Sequence, residues 1–270
     1  MCIQTLSEDG KASTLRHQLS GHTQSVESIT WSSDGLFLVS GSYDKTIRKW
    51  NISTGGCNLI IETPRWVHAV ALSPDNKHLV SVHKWLSSIY VWDVSTGHRI
   101  LGPLKGHTSD VFTVVYSPDA RRILSGSSDG SVTVWDSTTG EILFGPVTAH
   151  SNIIRSISFH PSGESFVTGS DDETLTIWDA NNFKPIHKNI CVHSGWVSLV
   201  QYSPDGTLLL SASLDRTLRL SDANNGRPTC DSVQNSCGVY SATFSPDGRW
   251  VASGGRDGKV QIWEVHDLDL

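Results

Sequence analysis

Tryptophan recurs at a nearly fixed interval along this 270-residue chain, at Trp50, Trp92, Trp135, Trp178 and Trp263, and Ser221 stands where a sixth would fall. The spacings are 42, 43, 43, 43 and 42 residues. Such a period makes the structural unit a repeat that cannot bury its apolar face alone and must stack on its neighbours. One domain of six similar units follows, although the length alone would also allow two small domains. A residue set that returns in unit after unit is scaffold before it is active site.

The third unit shows the grammar. Gly106-His107 is followed by the apolar-rich run Val111-Phe112-Thr113-Val114-Val115-Tyr116. Ser117-Pro118-Asp119-Ala120 is a turn, because Pro presets φ and Asp bonds its own backbone. Ile123-Leu124-Ser125-Gly126, the tight turn Ser128-Asp129-Gly130 and Ser131-Val132-Thr133-Val134-Trp135 complete the unit. Short runs rich in Val and Ile, bounded by turn signals, predict strands, and no segment has a helical period of useful length. The first turn recurs six times, at Ser33, Ser73, Ser117, His160, Ser203 and Ser245. Weaker fourth strands are predicted at Asn58 to Ile61, Arg99 to Gly102, Glu141 to Phe144, Pro185 to Asn189 and Thr229 to Val233.

These motifs resemble the WD40-repeat family, whose signature is Gly-His…Trp-Asp at a period of about 40–45 residues. The resemblance spans most of the chain, and the repeats are similar to WD arrays of fungal signalling proteins. It implies an all-β fold, a β-propeller of six four-stranded blades. Residues 1–12 are expected to be a disordered segment and 13–266 the propeller, with repeats at about 19–55, 62–97, 104–140, 147–182, 190–226 and 233–265. Too few residues follow Trp263 for a fourth strand, so Thr14 to Leu19 is expected to supply it and close the ring; an open or truncated seven-blade ring is the alternative.

The resemblance also implies a buried hydrogen-bonded set in each blade. The chain offers His22, Ser40, Asp44 and Trp50; His107, Ser125, Asp129 and Trp135; and His150, Thr168, Asp172 and Trp178. In all three, His to Asp is 22 residues, Ser or Thr to Asp is 4 and Asp to Trp is 6. The fifth repeat keeps His193, Ser211 and Asp215, and the sixth keeps Ser253, Asp257 and Trp263 with Asn235 in place of His. The second keeps only Ser81 and Trp92, so it is expected to be the loosest.

Bulk properties narrow the function. With 27 acidic against 21 basic side chains the net charge is −6, which speaks against direct nucleic-acid binding. No apolar run approaches the ~18 residues of a membrane span. The polar start lacks the apolar core of a signal peptide, so an intracellular place, cytoplasmic or nuclear, is expected. Cys2, Cys57, Cys191, Cys230 and Cys237 form no CxxC pair and read as reduced, incidental thiols. No metal or cofactor is expected. Repeated Ser, His and Asp mimic a hydrolase triad, but each set comes with a Trp that would bury it, whereas catalysis needs one exposed nucleophile. Gly126-Ser127-Ser128-Asp129-Gly130 fits the nucleophile-elbow pattern only by accident, because that motif needs a strand-to-helix turn.

In the family, partners are gripped by residues flanking the first strand's leading Val or Ile and by the residue before the turn Asp. Carried over, the flanking set is Ser25 and Glu27, Trp66 and His68, Asp110 and Phe112, Ile153 and Arg155, Trp196 and Ser198, and Gly238 and Tyr240. The second set is Tyr43, Ser128, Asp171, Leu214 and Arg256, with Trp85 near the same place in repeat 2. Trp66, Trp85 and Trp196 are the indoles that core packing does not claim, and Trp, Tyr and Arg dominate interface hot spots. The expected function is a non-catalytic scaffold, a monomeric propeller in a larger complex, binding a protein or peptide segment on an aromatic and Arg-lined mouth. A reader of modified, histone-tail-like peptides and a propeller enzyme are the alternatives. The Trp-Asp-x-Arg signature of cullin-ligase receptors is missing.

Overall fold

The computed structural model describes residues 2–6, 13–229 and 232–265, with side chains from residue 17 onward. The chain is all-β and forms two compact units, Met1–Lys105 and Gly106–Leu270.

In the first unit, sheet 1 comprises Val26–Trp31, Phe37–Ser42, Thr46–Asn51 and Cys57–Glu62, and sheet 2 comprises Val67–Leu72, His78–His83, Ser88–Asp93 and Arg99–Lys105. In the second unit, sheet 3 runs through Val111–Tyr116, Arg122–Ser127, Ser131–Asp136 and Ile142–Thr148. Sheet 4 has Ile154–Phe159, Ser165–Ser170, Thr174–Asp179 and Pro185–Cys191. Sheet 5 has Val197–Tyr202, Leu208–Ser213, Thr217–Asp222 and Val233–Gln234, and sheet 6 has Val239–Phe244, Trp250–Gly255 and Val260–Glu264. Every pairing is antiparallel between consecutive strands, the up-and-down order of a propeller blade.

Local side-chain bonds explain why the strands break where they do. In the first turn of sheet 3, Ser117 Oγ donates to Asp119 Oδ1 at 2.5 Å, and the same carboxylate accepts the Arg121 N–H at 3.0 Å. The Asp of Trp-Asp makes the last turn: Asp136 Oδ1 accepts the N–H groups of Thr138 and Thr139, each at 2.8 Å. Asp93, Asp179 and Asp222 do the same in their sheets. The Asp of the signature is therefore a turn-former, a role Asn51 fills in sheet 1.

Within each unit, neighbouring sheets join by one rule: the first strand of a sheet packs on the second and third strands of the sheet before it. Val67 and Val70 meet Val39 and Ile47 in the first unit. In the second, Ile154 and Ile157 meet Leu124, Val132 and Val134, and Val197 and Val200 meet Val167, Leu175 and Ile177. First-strand serines tie the junctions, as where Ser198 Oγ donates to Val239 O at 2.7 Å.

Four details differ from the sequence expectation. Cys2–Leu6, within the segment expected to be disordered, is a strand paired with Ser13–Gln18. The segment Thr14 to Leu19, expected to close the ring on sheet 6, contributes Ser13–Gln18, whose described pairing is to Cys2–Leu6, and sheet 6 has three strands among the described residues. Outer strands of sheets 2 to 4 reach further than expected, to Lys105, Thr148 and Cys191. In sheet 5 the outer strand among the described residues is Val233–Gln234, after an isolated bridge between Ser221 and Pro228.

Candidate functional site

The repeated polar set forms a directed chain of hydrogen bonds. In sheet 3 the Trp135 indole N–H donates to Ser125 Oγ at 2.9 Å, and Ser125 Oγ lies 2.7 Å from His107 Nε2. Ser131 Oγ spends its proton on Asp129 and so accepts from His107 Nδ1–H, which leaves Nε2 of the neutral imidazole to accept the Ser125 proton. His107 Nδ1 then meets Ser131 Oγ at 2.8 Å, which donates to Asp129 at 2.5 Å. Sheets 1 and 4 use the same chain with a direct final step, 2.8 Å from His22 Nδ1 to Asp44 and 3.0 Å from His150 Nδ1 to Asp172. In sheet 5, His193 joins Ser211 and Asp215 at 2.8 and 3.0 Å.

Thr46, Ser131, Thr174 and Thr217, two residues after the Asp, are fifth members that sequence reasoning missed. A hydroxyl recurring at that offset was the available signal. Sheet 6 replaces the imidazole with Asn235, whose Oδ1 accepts from Ser253 at 3.0 Å, while Asp257 binds Ser236. Sheet 2 is rebuilt. Trp92 still donates to Ser81 at 2.7 Å, and a buried His83 stands beside Ser81 at 3.4 Å. Burial holds the His83 imidazole down at about 4.

Burial also lowers His22 and His107, against the pull of Asp44 and Asp129, so these rings are neutral near pH 7. The Asp44 carboxyl is raised by burial but lowered more by its bonds from Thr46, His22 and the Thr23 N–H, and lies at about 2. Ser125 is fully buried with its oxygen engaged on both sides, and Gly126–Gly130 is a strand-to-strand hairpin. This arrangement clasps strands and leaves no exposed nucleophile in the set. Among the described residues, no group of three or more His, Cys, Asp or Glu is placed to hold a metal ion. No helix among them is long and apolar enough to cross a membrane.

The candidate partner-binding residues lie at one backbone location per repeat. The N–H before the turn Asp donates to the carbonyl preceding the first strand's leading residue: Tyr43 to Ser25, Ser128 to Asp110, Asp171 to Ile153 and Leu214 to Trp196, at 2.8 to 3.0 Å. In sheet 2 the residue making this bond to Trp66 is Lys84. Trp85 therefore occupies the position of the missing turn Asp, at φ +60°.

In the first unit, Trp66 stacks on Tyr43 with centroids 4.9 Å apart and packs against Trp85 at 4.6 Å with its plane tilted by 44°. Trp66 is thus in ring contact with both neighbours, while Trp85 stays 63 % exposed. Burial and the Glu27 carboxylate push the Tyr43 phenol up. His68 is half-buried on the strand Val67–Leu72, which Trp66 precedes.

In the second unit, Arg155 binds Asp171 through Nε and Nη2, each at 2.7 Å, and Asp171 is buried. The guanidinium carbon lies 5.1 Å from the Phe112 ring centre and 5.2 Å from that of Trp196. Arg155, Trp196, Ser198, Leu214 and Tyr240 line a cavity of about 140 Å³. Trp196 and Tyr240 remain about half exposed, at 47 % and 53 %. Asp110 and Arg256 are not in that lining.

Antiparallel four-stranded sheets, repeated and clasped in this way, define a repeat protein built from β-propeller blades. Residues 13–51, 55–93, 98–136, 143–179, 183–222 and 229–264 each match the WD domain, G-beta repeat, and the chain belongs to the WD40 family. Among similar proteins, autophagy-related protein 16 of Arabidopsis thaliana is 32 % identical over 45 % of this chain and 24 % of its own length. Nuclear distribution protein nudF of Emericella nidulans is 38 % identical over 38 % of this chain and 23 % of its own. Eukaryotic translation initiation factor 3 subunit I of Aspergillus fumigatus is 31 % identical over 42 % of this chain and 38 % of its own. The chain thus matches well under half the length of these relatives.

Proposed function

We propose that this protein is a non-catalytic interaction scaffold that grips a protein or peptide segment at the Phe112–Arg155–Trp196–Tyr240 cluster. One observation carries the reading: a half-exposed aromatic cluster organised around a guanidinium that Asp171 holds rigid. Rigid aromatics and Arg give large contact area at low entropic cost. The cavity of about 140 Å³ is near the roughly 150 Å³ that holds a benzene ring. It suits one leucine- or phenylalanine-sized side chain, with the remaining Arg155 nitrogen facing a backbone carbonyl of the same segment. Asp171 neutralises the arginine, which argues against a phosphate or nucleic-acid ligand.

The direct ring contacts of Trp66 with Tyr43 and Trp85 speak against a methyl-lysine cage among these three, because a cage needs its aromatics set apart around an open centre. Relatives named for autophagy, nuclear distribution and translation initiation support membership of an intracellular assembly. Affinity capture from a cell lysate, comparing wild type with Trp196→Ala, tests the reading. Specific partners should be lost from the variant while its circular dichroism spectrum is unchanged; an identical partner list would reject this surface.

A further inference from the structure

The turn after the second strand of sheet 2 is built unlike its counterparts. In sheets 1, 3, 4 and 5 the serine closing that strand accepts the N–H of the turn Asp: Asp44 to Ser42, Asp129 to Ser127, Asp172 to Ser170 and Asp215 to Ser213, at 3.0 to 3.2 Å. His83 stands in that serine's place. Its ring makes no such bond, because Nδ1 is buried without a hydrogen-bond partner and Nε2 turns to Ser81. Two residues on, Trp85 holds the Asp position at φ +60°, a conformation that a bulky side chain adopts under strain. Its indole lies against Trp66. A strained turn carrying an aromatic thus follows directly on a fully buried base.

A charge on that ring would meet no acid. Tyr90 touches it edge-on at 5.0 Å from the third strand, which also carries Asp93, opposite His78 at the far end of the sheet. His68 lies on the first strand and Lys84 in the turn, while Glu62 and Arg65, ahead of the first strand, are solvent-exposed. A proton added to the closed structure therefore stays uncompensated in a buried site, which is costly. His83 is the last residue of its strand, so displacing the turn brings the ring to water while the ladder of Leu79 to Val82 stays paired.

We propose that the turn 84–87 is an acid-released flap: protonation of His83 swings it out and bares the side of Trp66 that Trp85 packs against, while the rest of sheet 2 stays folded. Opening relieves the strain at Trp85 and gives the imidazolium its hydration. Burial holds the ring at about 4 in the closed turn, and opening returns it toward an ordinary 6.5. The closed form is thus favoured above pH 6.5 and loses ground as pH falls, with opening roughly twentyfold more frequent at about pH 5 than at about pH 7.

Hydrogen exchange read by mass spectrometry, with rates corrected for the intrinsic effect of pH, tests this on wild type, His83→Gln and His83→Ser. The reporters are the Lys84 and Leu86 amides, bonded to Trp66 O and His83 O. In wild type their protection should fall at least roughly tenfold between about pH 7 and about pH 5. The matching turn of sheet 3, at Ser128 and Gly130, should keep its protection, and hydroxyl-radical oxidation of Trp66 should rise as the flap opens. Either variant removes the titrating ring and should abolish the fall; Gln keeps much of the bulk and Ser restores the neighbours' residue. Protection at 84–87 that ignores pH in wild type overturns the proposal, whether or not the variants fold. So does a fall shared equally by the sheet 3 turn, a fall that persists in a folded variant, or Trp66 oxidation that stays constant.

Discussion

At the scale of single residues, the repeated set is best understood by following its protons. Indole to hydroxyl, hydroxyl to imidazole, imidazole to carboxylate: each donor has one acceptor, and no member is left to react. The Gly of Gly-His belongs to the same construction, because a Cβ on Gly106 would sit 2.7 Å from Trp135 Cη2. Sheet 5 inverts the pair. Ser221 replaces the indole, and Val192, buried in the adjoining core, replaces the glycine. Ala149 beside Trp178 is the intermediate case. Ser221→Trp alone should therefore overpack the site and cost about 1–3 kcal/mol. Adding Val192→Gly should recover most of that loss, with a coupling of at least about 1 kcal/mol in urea unfolding. Strictly additive effects would show that the two sites do not share the space.

At the scale of elements, the six first turns differ in one telling place. The residue after the turn Asp or Ser takes a left-handed conformation; Gly35, Gly163, Gly206 and Gly248 occupy it at φ of 70–76°, and Asn76, a residue that tolerates it, at 61°. Ala120 holds the same position at φ +59°, where a Cβ is unfavourable. Ala120→Gly should raise stability by about 0.5–1 kcal/mol, read as a higher urea midpoint at constant slope; a lower midpoint would contradict this view of the turn. Strands with Val, Ile and a turn at each end were legible in the sequence, because their grammar is local. Pairing partners were not. Ser13–Gln18 reads as a strand from its residues, but nothing in them selects Cys2–Leu6 over an edge elsewhere. Likewise, repeat 2 looked stripped of its set, since the spacing rule has no place for His83, which takes up the position of a serine in its neighbours. The positions of the partner-binding candidates followed from the repeat; the Arg155–Asp171 pair inside its aromatic frame required the fold to bring Phe112 of sheet 3 and Trp196 of sheet 5 against Arg155 of sheet 4.

At the scale of the whole molecule, the buried histidines and their carboxylates set the response to acid. His83 sits at about 4 when folded, against an ordinary 6.5, so the unfolded chain binds its proton first as pH falls. Its contribution is intact above pH 6.5 and is lost between 6.5 and 4, up to about 3 kcal/mol. His22 and His107 act in the same direction. Asp44, held at about 2, with Asp129, Asp172 and Asp215 likewise lowered, adds stability that persists above pH 4 and disappears below it. Thermal melts should show a plateau above pH 7 and a steady fall beneath 6.5; a Tm that rises between pH 7 and 5 would contradict the neutral-histidine assignment. The division of labour between clasps and binding surface has its most direct test in one titration, the affinity of a captured partner for purified wild type, Ser125→Ala and Trp196→Ala. Losing a hot-spot indole costs about 2 kcal/mol or more, so Trp196→Ala should bind at least roughly thirtyfold more weakly. Ser125→Ala, folded at the titration temperature, should bind as wild type does. Affinity that falls with Ser125→Ala and survives Trp196→Ala would contradict the account.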